Sequence, residues 1–215
     1  MSKDKIHIRY KTKDGKVVPG VTTVLGILNK PALLHWAWDL GIKGIDYRKF
    51  RDDKADIGTL AHYLIMCHLQ GVKPDTSDYS ANQIDKAENA VISFYEWEKS
   101  HKHKPVLIEQ PLVSEKYGYG GTCDLLTEVG NELWLVDFKT GKGIYDEMLY
   151  QCSAYWQLIL EAGYTPTSAR ILRIGRDESE GFEEKTMTSH ADRLRLFLHC
   201  LEVYNLQKKI RREGK

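Results

Sequence analysis

The sequence predicts an α/β protein: a mixed central β-sheet flanked by helices, with a helical region ahead of it. Three observations carry this reading. Two apolar runs meet at Gly130-Asn131, a hairpin pattern. An amphipathic segment at about 146–162 has helical spacing and separates that hairpin from two further strand-like runs, at 168–175 and about 182–188. Ahead of residue 104, four segments show helical periodicity and only the first residues alternate.

The 215 residues suit one domain, with an N-terminal hairpin and helical region over about 1–104, a core over about 105–188 and a C-terminal helix over 189–215. An apolar fraction of 42% and five Trp can fill a core. The net charge of +1 argues against a protein that coats nucleic acid by bulk charge, but a local basic groove needs no such excess. Four cysteines stand far apart, at 67, 123, 152 and 200, with no C-x-x-C pair. That spacing predicts neither zinc nor an iron–sulfur cluster, and it fits free thiols in a reducing compartment. No apolar run is long enough to span a membrane, and MSKDKIHIRY lacks a signal-peptide core. The expectation is a cytoplasmic protein of a bacterial or phage-infected cell.

Residues 5–18 read as a hairpin: Ile6, Ile8 and Tyr10 alternate, and Asp14-Gly15 turns the chain toward Val17-Val18. Thr22 or Thr23 is expected to cap a short helix through Leu28, broken at Asn29-Lys30-Pro31. Pro31 suits the first turn of a second helix and Gly41 its end; Trp36 and Trp38 on it read as packing residues, with base stacking the alternative. A third helix spans about Asp56 to Gln70 and stops at Gly71, with His62, Ile65, Met66 and Leu69 along one side. Ser80-Ala81-Asn82-Gln83 is a capping box opening a helix to about Ser100, followed by a solvated basic loop over Lys99–Lys104 that includes His101 and His103. Pro105 opens a strand, with Glu109 inside it and Pro111 marking an edge or an end. Glu109 there either faces water or is paired or metal-bound. Arg170, Arg173 and Arg176 are candidates to line a groove. Ser189 is expected to cap the last helix, buried along Leu194, Phe197, Leu198, Leu201 and Tyr204 and ending in Lys208, Lys209, Arg211 and Arg212.

The chemistry concentrates between Tyr117 and Tyr155. The Gly130-Asn131 hairpin can bring Asp124 on one strand beside Asp137 on the next. Two neighbouring carboxylates repel unless something positive lies between them, and a hard divalent cation such as Mg²⁺ is the natural occupant. Strand alternation points Asp137 and Lys139 the same way and Phe138 the other way. Lys139 can then hold a water nucleophile and stabilise charge developing on a phosphate. On the following helix, Gln151 and Tyr155 share a face with Met148 and Leu158.

The ordered set G-x-x-D (Gly121–Asp124), D-x-K (Asp137–Lys139) and Q-x-x-x-Y (Gln151–Tyr155) resembles the RecB-like branch of the PD-(D/E)XK nuclease superfamily. The run VTTVLGILNKPALLHWAWDLG is more loosely similar to the N-terminal segment of phage-type members. The resemblance spans about 20–188 and implies a restriction-endonuclease-like core. It implies Mg²⁺, with Mn²⁺ as substitute, held by Asp124 and Asp137, with His62 of a G-x-x-x-H pattern, Glu109 and the backbone carbonyl of Phe138 as further ligands. It implies that Lys139 positions the attacking water while Gln151 and Tyr155 support the site or orient DNA. His62 is otherwise an ordinary core histidine.

The activity so implied is metal-dependent hydrolysis of DNA, single- or double-stranded, by an exonuclease in recombination, repair or phage replication, with a single-strand annealing protein as a partner. A structure-specific or nicking endonuclease is the alternative within the same chemistry. A non-catalytic DNA-binding module on the same fold is the alternative outside it, and the retained D-x-K pair argues against that one.

Overall fold

The computed structural model describes residues 8–214. The helical region comprises α1 (Val21–Leu25), α2 (Pro31–Ile42), α3 (Tyr47–Gln70) and α4 (Ala81–Ser100). Then come β1 (His103–Ser114), β2 (Tyr119–Val129), β3 (Glu132–Lys139), α5 (Asp146–Glu161), β4 (Ser168–Ile174), β5 (Phe182–Met187) and α6 (Ala191–Glu213). The five strands form one sheet in sequence order. β1, β2 and β3 are antiparallel neighbours; β3 and β4 are parallel, with α5 as the crossover; β5 returns antiparallel on β4. The mixed sheet with flanking helices is the predicted class.

Each face of the sheet has its own core. Leu135, Ala169, Ile171 and Met187 pack with Leu149, Tyr155 and Leu158 of α5, Phe197 and Leu201 of α6, and α1. Trp134, Val136, Phe138, Leu172 and Ile174 pack on the other face against α3 and α4 through Leu60, Ile65, Phe94 and Trp97. β3 therefore alternates regularly: its odd positions face α5 and its even positions face α3 and α4. The chain leaves β3 buried on both sides, which explains the near-continuous run LWLVDF.

Several local expectations need correction. The predicted first hairpin survives as a Lys11–Val17 bridge, and Ile6 lies outside the described residues. α1 is entered at Gly20 with no side-chain cap, so neither Thr22 nor Thr23 has that role, and it ends by Leu25. α2 runs through Gly41 to Ile42, and the left-handed residue that stops it is Gly44, with φ 67°. α3 starts at Tyr47, well before Asp56, because Asp46 caps it by accepting from the Arg48 and Lys49 amides at 2.9 and 3.4 Å. The Ser80–Gln83 capping box and the Gly71 stop are as expected. His190 and not Ser189 occupies the N-cap position of α6.

The basic loop at 99–104 is more ordered than its composition suggests. His103 opens β1, bonded to Thr127 and Glu98 at 2.9 and 3.0 Å, and His101 stacks on Trp97. The three arginines have partners within the fold: Arg170 lies 3.3 Å from the centre of the Trp134 ring and pairs with Glu184, Arg173 pairs with Glu183, and Arg176 Nη1 donates to the Lys54 carbonyl at 3.4 Å. Trp36 packs on Phe50 as expected of a packing residue, whereas Trp38 is 66% exposed. All four cysteines are free and buried.

Candidate active site

The site forms where β1, β2 and β3 meet α3 and α5. Asp124 stands one step beyond the Leu125–Val136 pair of the β2–β3 ladder, level with Asp137. The hairpin turning at Gly130 sets this register, and the Phe138 amide fixes it by donating to Asp124 Oδ2 at 2.7 Å. Asp124 is 8% and Asp137 1% exposed.

α3 brings His62 to the same place. Its Nδ1 lies 3.6 Å from Asp124 Oδ1 and 3.8 Å from Glu109 Oε1. The imidazole meets the Phe138 ring edge-on, with centroids 5.9 Å apart, so the residue between Asp137 and Lys139 orients the histidine. Close approach depends on Gly58, one turn earlier: a Cβ there would lie 2.8 Å from Thr140 Oγ1, just past the end of β3. The Gly58–His62 spacing thus has a steric origin that sequence periodicity does not reveal.

Glu109 reaches the cluster through an unusual backbone. It is the non-glycine residue with positive φ, 46°, among the described residues. Left-handed glutamate is strained, by about 1 kcal/mol or more, and persists where its surroundings demand it. The strands on both sides keep one register, yet their alternation changes phase here: Cys123 faces α5, while Leu125 faces α3 and α4. The edge-strand glutamate consequently turns toward His62. Nothing in the one-letter sequence signals this.

The electrostatics are those of a crowded anionic pocket. Burial alone would lower the His62 pKa, but Asp124 and Glu109 outweigh it and raise it to about 10. Burial raises the Asp137 carboxyl to about 6, with Lys139 pulling it down and Asp124 pushing it up. Burial also raises Glu109; at Asp124 burial pushes the same way, but the charge and hydrogen bond of His62, the Lys139 charge and the Phe138 amide together outweigh it and hold the carboxyl low. Lys139 is held in its charged form by Asp137 and Asp124 against the effect of burial.

Asp137 has both carboxylate oxygens buried, and apart from the ion pair with Lys139 neither accepts a hydrogen bond. A buried carboxylate normally fills its lone pairs, so this one is short of donors. Lys139 Nζ also donates to the Phe138 carbonyl at 3.3 Å. His62, Glu109 and Asp124 offer ligand atoms within 4.8 Å of one another. An oxygen-rich set with one imidazole and an under-satisfied carboxylate beside it fits a hard divalent cation.

α5 closes the other side. Gln151 Nε2 donates to the Tyr155 hydroxyl oxygen at 2.8 Å. Tyr155 is buried, and burial together with the Asp137 and Asp124 charges keeps its phenol protonated. It packs on Gly121, where a Cβ would come within 2.5 Å of Tyr155 Cε1. The glycine of G-x-x-D and the tyrosine of Q-x-x-x-Y are thus two halves of one contact. Lys30 at the start of α2 pairs with Glu147 of α5 at 2.7 Å, tying the helical region to the base of this wall.

The structure therefore brings His62, Glu109 and Asp124 into one cluster. Asp137 and Lys139 lie alongside as an ion pair, the Phe138 carbonyl is engaged by Lys139, and Gln151 and Tyr155 form the adjoining wall. Phe138 and Gly58 have positioning roles that sequence reasoning missed.

No family model matches the chain, and no curated protein does. Among solved structures, it is similar to an alkaline exonuclease from Laribacter hongkongensis at 10% identity, covering 75% of this chain and 90% of that one, with a TM-score of 0.45. The same exonuclease in complex with dAMP matches at 11% identity, covering 75% and 88%, also with a TM-score of 0.45.

Proposed function

We propose that this protein is a divalent-metal-dependent deoxyribonuclease that acts as an exonuclease. The observation that carries the reading is Asp137: a carboxylate with almost no exposure, short of hydrogen bonds, ion-paired to Lys139 and next to a His62–Glu109–Asp124 cluster. Asp124 and Asp137, with His62 and Glu109, would hold Mg²⁺ or Mn²⁺, and the Phe138 carbonyl, which accepts from Lys139 Nζ at 3.3 Å, would add an oxygen. A cation bound there supplies positive charge to a phosphoryl group and makes water a better nucleophile.

The chain's own groups supply the rest. Lys139 Nζ, charged and anchored by Asp137, would hold the attacking water and face the charge that grows on phosphate oxygens. The Gln151–Tyr155 pair keeps a neutral hydrogen-bonding wall beside the carboxylates. His62 must shed its proton to ligate, so Asp124 and Glu109 hold it ready until a cation replaces that proton.

The test is digestion of linear and circular DNA of the same sequence, single- and double-stranded, with Mg²⁺ or with chelator. Linear DNA should be degraded from its ends only with Mg²⁺, and circular DNA should survive. Cleavage of circles would make the enzyme an endonuclease. No cleavage of any form, with DNA still bound, would leave only a binding module.

A further inference from the structure

We propose that the protein forms a two-fold symmetric dimer through the exposed end of α6, packed antiparallel against the same helix of a second copy. From Glu202 to Gly214 every residue except Tyr204 is exposed, so about three turns of helix, roughly 18 Å, stand clear of the body. A free helix of that length is marginal in water unless it packs on something. This one carries apolar side chains at Val203, Leu206 and Ile210, which are 46%, 55% and 58% exposed. With Leu196 and His199 they follow the alternating three-and-four spacing of a coiled-coil seam.

The seam runs directly into a groove of about 590 Å³ lined by Leu196, His199 and Val203 of α6 and by Ile27 and Leu28 after α1. An antiparallel pairing sets Leu206 of one copy against Val203 of the other and Ile210 against His199. The apolar end of each helix then enters the groove of its mate, so one patch is complementary to itself, as a two-fold interface requires.

The charges select a second copy over another apolar partner. Helical spacing puts Glu202 and Lys209 on the same edge of the seam, while Lys208 and Arg212 point away from it. In the antiparallel pair the Glu202 edge of one helix meets the Lys209 edge of the other, twice. Within one copy these groups make only exposed contacts, Glu202 to His199 at 3.8 Å and Lys209 to Glu213 at 3.8 Å, which are weak and free to exchange.

The experiment is sedimentation velocity of the full chain over a wide concentration range, with helix content followed by circular dichroism. The wild type should pass from monomer to dimer as concentration rises. Glu202→Lys and Lys209→Glu each place like charges at both contacts and should raise the dissociation constant by on the order of tenfold or more, with helix content no lower than that of the wild type diluted to monomer. An equimolar mixture of the two variants should dimerise again, because both contacts of the mixed pair then set a lysine of one chain against a glutamate of the other. A wild type that stays monomeric, single variants that dimerise as tightly as the wild type, or a mixture no tighter than its components would each overturn the proposal.

Discussion

Replacing Asp137 by Asn should stabilise the metal-free protein while abolishing its activity. Asp137 is 1% exposed, and its carboxyl is raised from 3.8 to about 6 even with Lys139 beside it. Its ionised form is thus less favourable in the fold than in the unfolded chain. The cost is complete above the folded pKa and disappears as pH falls below the unfolded one, the reverse of an ordinary salt-bridged aspartate. At about 1.4 kcal/mol for each tenfold change in acidity, the charge costs the wild type about 3 kcal/mol at pH 8 and about half that at pH 5. Asparagine is the near-isostere of the protonated acid and escapes this cost. For a chain of this size the gain corresponds to a rise in Tm of about 6–12 °C in chelator at pH 8. Scanning calorimetry at pH 8 and pH 5, with chelator and with Mn²⁺, measures it. Mn²⁺ should raise the wild-type Tm and leave the variant almost unmoved. A variant that melts lower than the wild type in chelator at pH 8 would refute the reasoning.

Lys139→Ala should lower single-turnover cleavage by on the order of 10²-fold or more while Mn²⁺ binding persists, since an ammonium is no ligand; calorimetric titration beside the cleavage assay separates the two quantities. His62→Ala should weaken Mn²⁺ binding yet leave the protein folded. In the wild type, Mn²⁺ affinity should rise about tenfold per pH unit between about pH 6 and 10, because a histidine raised to about 10 must release its proton on ligation; binding heats that are independent of buffer ionisation would contradict this. Gly121→Ala drives a methyl to within 2.5 Å of Tyr155 and should cost about 1–3 kcal/mol by overpacking, read as a lower denaturation midpoint.

The fold class was legible because its signals are local. Gly130-Asn131 between apolar runs fixes the β2–β3 register, and that register alone brings Asp124 level with Asp137. The Ser80–Gln83 box fixes the start of α4 for the same reason. What stayed hidden depends on distant packing. Asp46 is an ordinary acid until the turns after it are seen to coil into α3, and the arginines of β4 look free until Trp134 and Glu184 are placed beside them. At the site, sequence spacing supplied the residue types, but the left-handed Glu109 and the Gly58–Thr140 approach arise only when β1 and α3 close on β3. Trp38, expected to pack, faces outward because α2 contributes little beyond Leu40 to the core.

A cation held at Asp124 and Asp137, and used with Lys139 to hydrolyse DNA, is the centre of the proposed mechanism. The most direct measurement is release of labelled nucleotides from a linear duplex by wild-type protein and by Asp124→Asn, each with Mg²⁺ and with excess chelator. Cleavage by the wild type in Mg²⁺, lost in chelator and lost in the variant, is the predicted result. Cleavage that continues in excess chelator, or that Asp124→Asn leaves undiminished, would contradict it.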